Sequence, residues 1–551
     1  MIQLVALAAF STLFWVYHSA HGGLIVSTEF GYVQGGIRRT WNNRTFSSFT
    51  GIPYAKPPIG DLRFKPPVSV DPWRDVYQAT GSHNVCPQAE LLAKGIVPIG
   101  DEDCLFLNVY TPKTRESPFN TEVYPVLVFL HGGSFSIGSA REDWIGPEIL
   151  LDKDVVLVTV NYRLGALGFL SFQDPVISGN NGLKDQALAI RWVFRNIHNF
   201  GGDPNKLTLF GNSAGGVATH LHTMSPLSKH FLNSAIIQSG NGLFLPILSS
   251  TYHPIFYANI LADCVNCPHS SSKNFLKCIR TVHAYTIINC NSKFENLTAI
   301  PFRPIVEITR HGAFLTDSPD YLIRSRAVRS IPIMTGVVTD EAGYQAADIM
   351  YHSSKLNLLN QHFNHFVVHL FNIRHPFDTW LRSFYFNNKT IDQTNRFQLS
   401  KMLSDGFFYR VNEEMIRLYQ PRLDNPTFQY LFGYRGSESY GNLFVPNYDF
   451  GVTHTDELFY LLPRKNLFPN YVPSESDRKV SELLSTFWVN FAKTDHPTPY
   501  GDRTLSIRWN GVSSQNCEYL EILGHDQLQM KDRMFFDRTA MWRNMYQLGF
   551  S

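Results

Sequence analysis

The stretch FGGDPNKLTLFGNSAG, residues 200–215, decides the fold. Leu207 to Phe210 is a short apolar run, which predicts a buried strand. Ala214 to Met224 reads as a helix. Between them, Gly211-Asn212-Ser213-Ala214-Gly215 fits the pattern G-x-S-x-G. A serine in that context sits on a sharp turn, where side chains at the two glycine positions would clash. The turn pushes the Ser213 hydroxyl out at the carboxyl end of the sheet, and the positive N-terminus of the helix faces the same point. A bare G-x-S-x-G carries little weight; the strand before it and the helix after it supply the weight here.

The neighbouring segments repeat the theme. Val126 to Leu130 reads as a buried parallel strand opening into His131-Gly132-Gly133, and Val155 to Val160 as a second. Leu183 to Asn196 has helical spacing, with Leu188, Trp192 and Val193 on one side, and Ala235 to Gln238 is a further strand. Strand, crossover helix and strand in succession predict an α/β fold, a large and mostly parallel sheet flanked by helices. The stretch from Tyr252 to Asn395 reads as helical and irregular and is expected to cap the sheet. A last helix near Met534 to Tyr546, with Met534, Phe535, Met541, Trp542 and Met545 along one side, is expected to pack on the core. With no repeat, low-complexity segment or linker, residues 21–551 are expected to form one domain.

The 551 residues are 44% apolar and 17% charged, which excludes a disordered chain. The formal charge of +2, with no basic cluster, argues against nucleic acid as a partner. Residues 1–20 read as a secretory leader, because Leu4 to Tyr17 is almost continuously apolar and small residues near Ala20 or Gly22 offer a cleavage site. The run is short for a membrane span, which needs about 20 apolar residues, so no stable membrane anchor is expected. Asn43, Asn296 and Asn388 head Asn-x-Ser/Thr triplets, which behind a leader become glycan acceptors. The seven cysteines are an odd number. Cys264 and Cys267 have a metal-like spacing but lack a second ligand pair, so neither metal nor cofactor is expected.

A serine hydroxyl is a poor nucleophile at neutral pH and needs a base, an orienting acid and donors for a developing oxyanion. Gly132 and Gly133 can turn bare N–H groups toward Ser213, and Ala214 N–H makes a third donor. Each such donor is worth roughly 3–4 kcal/mol of transition-state stabilisation.

The long motif around Ser213, together with Glu102-Asp103-Cys104-Leu105-Phe106-Leu107-Asn108-Val109, resembles the two signatures of type-B carboxylesterases, the carboxylesterase/cholinesterase family, and the resemblance runs from Gly31 to Tyr546. It implies an α/β-hydrolase fold and hydrolysis of small carboxylic esters. Gly336-Val337-Val338-Thr339-Asp340-Glu341 resembles the segment of the family's acid, giving Glu341, with Asp340 as the alternative. Gly451 to Leu458 resembles the segment of the base, giving His454, and the order Ser, Glu, His suits the fold. His454 would take the Ser213 proton as Oγ attacks the ester, and activity is expected to fall below about pH 6.5 as a free histidine protonates.

The resemblance further implies disulfides Cys86–Cys104 and Cys267–Cys278, ion pairs Arg63–Glu102 and Arg163–Asp185, and Ser239 as a support of the acid. Cys264 with Cys290 would make a third disulfide and leave Cys517 unpaired. No Trp, Tyr or Phe lies between Cys86 and Cys104, where cholinesterases hold a cation-binding Trp, so the esterase branch is expected. Asn212 stands where the family commonly has Glu and juvenile-hormone esterases commonly have Gln. Phe302 aligns roughly with acyl-pocket aromatics but, in a chain with 42 Phe, reads first as a core residue. A non-catalytic adhesion or ligand-binding relative, a juvenile-hormone esterase and a lipase stay open as alternatives.

Overall fold

The computed structural model describes residues 24–114, 123–244, 252–294, 300–308, 311–371, 377–422, 424–445, 449–502 and 504–549. Its sheet is built from β1 (Leu24–Thr28), β2 (Gly31–Arg39), β3 (Thr45–Pro53), β4 (Phe106–Thr111), β5 (Tyr124–Leu130), β6 (Val156–Val160), β7 (Gly202–Asn212), β8 (Ser234–Gln238), β9 (Ile333–Val338), β10 (Thr427–Phe432), β11 (Tyr519–Ile522) and β12 (Leu528–Lys531). The spatial order is β1-β2-β3-β4-β6-β5-β7-β8-β9-β10-β11-β12, with the short strand Tyr77–Gln78 beside β2. From β6 through β11 every pairing is parallel. Outside that run the strands of the main path pair antiparallel, and Tyr77–Gln78 pairs parallel with β2.

Both faces of the parallel run are covered, as the continuous apolar strands require. Successive side chains of a strand point to opposite faces, and the core divides accordingly. Val126, Val128 and Leu130 of β5 join one apolar cluster, and Leu127 and Phe129 join the other. Helices α1 (Asn181–Asn196) and α2 (Ala214–His222) pack on the first face through Trp192, Val217 and Leu221. Further along lie α3 (Arg396–Ser404), α4 (Arg410–Tyr419), α5 (Glu475–Thr494) and α6 (Phe536–Gly549). Helix α5 closes the second face through Leu484, Phe487 and Trp488.

The sequence reading is corrected at two places. Strand β9 lies inside the stretch expected to be helical and irregular, and its six residues are all buried in the centre of the sheet. Its Thr and Gly interrupt the apolar run that marks the other central strands. The last helix begins at Phe536, so Met534 and Phe535 precede it. Its Trp542 and Met545 pack in a separate helical cluster with Phe371 and Met402, away from the sheet's two cores.

Candidate active site

Parallel strands bring their carboxyl ends to one edge. Asn212 of β7 pairs with Gln238 of β8, and Gln238 with Gly336 of β9, so three chain segments end side by side. Ser213 follows β7 directly and heads α2 with φ 59° and ψ −124°. A positive φ is costly for a residue with a side chain, and such strain persists only where the surroundings impose it. Ser213 N–H donates to Gln238 O at 2.9 Å, and Val217 N–H donates to Ser213 O at 2.9 Å. The flanking glycines leave no choice: a Cβ on Gly211 or Gly215 would lie 2.7 or 2.0 Å from the Leu130 carbonyl oxygen.

The loop after β5 closes against this turn. A Cβ on Gly132 would come within 2.7 Å of Asn212 O and 3.1 Å of Ser213 Cβ. The His131 ring stacks on Tyr162 at 4.3 Å, and burial pushes its pKa down to about 4, so it is neutral. Its Nδ1–H donates to Gly132 O at 2.8 Å, and Tyr162 O–H donates to His131 O at 2.7 Å. A trans peptide points its N–H opposite to its C=O. Fixing these two carbonyls therefore aims Gly132 N–H and Gly133 N–H the other way. Among the described residues no acceptor takes the N–H of Gly132, Gly133 or Ala214.

Glu341 and His454 meet at the end of β9. His454 Nδ1 and Glu341 Oε2 are 2.6 Å apart, and Glu341 Oε1 accepts Val338 N–H at 3.0 Å. Glu341 is fully buried and His454 is 9% exposed. Asp340, the alternative acid, bonds elsewhere, accepting from Thr339 O–H at 2.9 Å and Val452 N–H at 3.3 Å. Among the described residues no hydrogen bond joins Ser213 to His454. Their segments are tied one step away, where Asn212 Nδ2–H donates to Glu457 Oε1 at 2.8 Å and Gln238 Nε2–H donates to the same oxygen at 3.1 Å.

Glu457 is the residue that sequence reasoning passed over, although it lies three positions after His454. It is wholly buried, and burial, reinforced by the charge of Glu341 and opposed by His454, pushes its pKa up to about 7. Its Oε2, together with Asn212 Oδ1 and Gln238 Oε1, is buried without a hydrogen-bond partner among the described residues. A neutral carboxyl supplies the donor that this crowd of acceptors lacks. Next to it, Asp456 holds the His454 loop in shape by accepting from Thr453 N–H, Tyr440 N–H and Ser439 O–H, each at 2.7 Å.

Other expected residues fall in varied places. The Ser239 hydroxyl is buried with no partner among the described residues, so the structure does not tie it to Glu341. Phe302 is buried and packs edge-on against Phe294 at 5.4 Å, a core position. Arg63 grips Glu102 through two bonds of 2.6 Å, and Arg163 grips Asp185 through bonds of 2.8 and 2.6 Å. Disulfides join Cys86–Cys104, Cys267–Cys278 and Cys264–Cys290, and Cys517 is free. Cys264 and Cys267 thus serve separate disulfides. Asn43 and Asn388 are exposed, whereas Asn296 and the leader segment 1–20 lie outside the described residues. Among those residues no helix is long and apolar enough to cross a membrane.

A strained serine at a strand end, a glycine loop over it and a carboxylate–imidazole pair beside it are the equipment of a hydrolase. The chain belongs to the carboxylesterase family, whose model matches residues 23–542, and it is a carboxylic ester hydrolase of α/β-hydrolase fold acting on small-molecule esters. It is 34% identical to juvenile hormone esterase of Tribolium castaneum, over 94% of this chain and 93% of that protein. It is 36% identical to esterase E4 of Myzus persicae, over 89% and 88%. The fold matches a crystal structure of juvenile hormone esterase from Manduca sexta with OTFP covalently attached, at TM-score 0.84 and 26% identity, covering 95% of this chain and 100% of that one.

Proposed function

We propose that the protein is a secreted serine carboxylesterase that works through an acyl-enzyme on Ser213. The observation that carries this reading is the Glu341–His454 pair at 2.6 Å, set at the same sheet edge as the strained Ser213 turn. His454 takes the proton from Ser213 as Oγ attacks the ester carbonyl. Glu341 holds Nδ1 protonated, so that Nε2 is the basic nitrogen, and stabilises the imidazolium. The N–H groups of Gly132, Gly133 and Ala214 receive the oxyanion. His454 returns the proton to the leaving alcohol, and water then releases the acid by the same route.

Residues 1–20 act as the leader and residues 21–551 as one catalytic domain. Three disulfides and the exposed Asn43 and Asn388 suit an oxidising, glycosylating route out of the cell. The similarity to juvenile hormone esterases favours a hormone-like ester as substrate. Asn212 departs from the Gln expected there, and its amide still reaches Glu457 as a donor.

The test is the intact mass of the secreted protein before and after treatment with an organophosphonate fluoride, with Ser213→Ala as control. One adduct on the wild type, absent from the variant, supports the reading. A folded wild type that takes up no label overturns it.

A further inference from the structure

The catalytic pair is touched from outside the sheet by one short and unusual piece of backbone. Between α3 and α4, residues Asp405–Tyr409 form a π-helical turn in which Arg410 N–H donates to Asp405 O, a step of five residues. Such turns are rare and tend to mark functional places. This one faces the Glu341–His454 pair with consecutive side chains. The Phe408 ring packs on the His454 imidazole at 4.8 Å. The Tyr409 hydroxyl lies 2.8 Å from Val338 O and 2.5 Å from Thr339 O, so its single proton holds the turn that delivers Glu341. Just before the π turn, Ser404 Oγ accepts Ala342 N–H at 2.9 Å, on the far side of Glu341.

The turn is fastened at its head. Asp405 is fully buried. It accepts a short hydrogen bond from Tyr385 O–H, and Trp542 Nε1–H donates to the Tyr385 oxygen at 2.8 Å. Arg538 of α6 lies 3.2 Å from Asp405 Oδ1 as an ion pair without a hydrogen bond, and its guanidinium lies over the Tyr409 ring at 5.6 Å and the Phe535 ring at 4.1 Å. One cation thus spans the turn from its first residue to its last. Gly406 admits no side chain, because a Cβ there would lie 2.4 Å from Phe371 and 2.8 Å from Trp542.

We propose that Asp405, Tyr385 and Arg538 are positioning residues: they buckle the π turn so that Phe408 fixes the plane of the His454 ring and Tyr409 fixes the approach of Glu341. Among the described residues no hydrogen bond, ion pair or ring contact joins any of the three to Ser213, Glu341 or His454, so they act through Phe408 and Tyr409. The proposal rests on the reading of Glu341 and His454 as the acid–base pair.

The test is a double-mutant cycle on the full-length enzyme, Asp405→Asn against Phe408→Leu, read as the rate of phosphonylation and as kcat and KM on an ester. Asp405→Asn is expected to slow phosphonylation and kcat about tenfold with KM little changed, a coupling of the size that contacting groups show. Added to Phe408→Leu it is expected to slow the reaction by clearly less than tenfold, because the two changes share the route through Phe408 to His454 and only the route through Tyr409 remains. Losses that multiply overturn the proposal. So does a variant that melts earlier yet reacts at the wild-type rate while folded. Tyr385→Phe, which removes the donor to Asp405 and the acceptor of Trp542 Nε1–H, carries the same cycle if Asp405→Asn does not fold. A wild type that fails to label defeats the reading of the site itself; a labelled wild type with unaffected variants defeats the buckle alone.

Discussion

Glu457→Gln should make the protein more stable, and more so at high pH. Glu457 has an ordinary value of 4.5 raised to about 7 by burial and by the charge of Glu341. Below the unfolded value both states hold the proton and nothing is lost. As pH rises toward 7 the folded chain keeps a proton that the unfolded chain has released, so stability falls, and above 7 the full penalty applies. That penalty is about 3 kcal/mol at pH 8 and about 1 kcal/mol at pH 5. Glutamine cannot ionise. It keeps an acceptor for Asn212 and Gln238 and adds an N–H2 beside their orphaned oxygens. Urea unfolding at pH 5 and pH 8, disulfides intact, reads the difference as a midpoint shift at constant slope. The expected gain at pH 8 corresponds to about 3 °C in melting temperature for a chain this long. A gain equal at the two pH values, or a variant weaker than wild type at pH 8, refutes the reasoning.

Arg163→Ala strands the fully buried Asp185 without its partner, and urea unfolding should show a loss of about 3–5 kcal/mol. Gly132→Ala places a methyl 2.7 Å from Asn212 O and 3.1 Å from Ser213 Cβ. Ester turnover should fall about a hundredfold or more, because a displaced oxyanion donor costs that much. An unchanged kcat in a folded Gly132→Ala protein would remove the glycine loop from the mechanism.

The sequence made the centre of the sheet, β5 to β8, legible, and for a physical reason; β1 to β4 were not read from it. Strands β5 to β8 are buried on both sides, so they are written as short apolar runs between turns, and the G-x-S-x-G turn shows its own constraint. Strand β9 escaped because Thr335 and Gly336 break its apolar run, and its burial comes from neighbours β8 and β10 that are distant in sequence. Glu341 and His454 were legible only through the resemblance of their segments, since 113 residues separate them and nothing local announces their meeting. Glu457 and the π turn at Asp405–Tyr409 were not legible at all. A buried carboxyl reads like a surface one until its neighbours are known, and a π turn differs from the surrounding helix by a single residue of register.

The tie between Asn212 and Glu457 crosses 245 residues of chain. The serine turn is complete once β8 has been made, but the imidazole and the carboxyl beneath it come from near the other end. A ribosome must therefore finish most of the message before any product holds both ends of this tie. Prematurely ended chains and fragments cut before residue 454 carry Ser213 without its proposed base and are expected to be inert toward esters, which would make esterase activity a sign that synthesis has passed that residue.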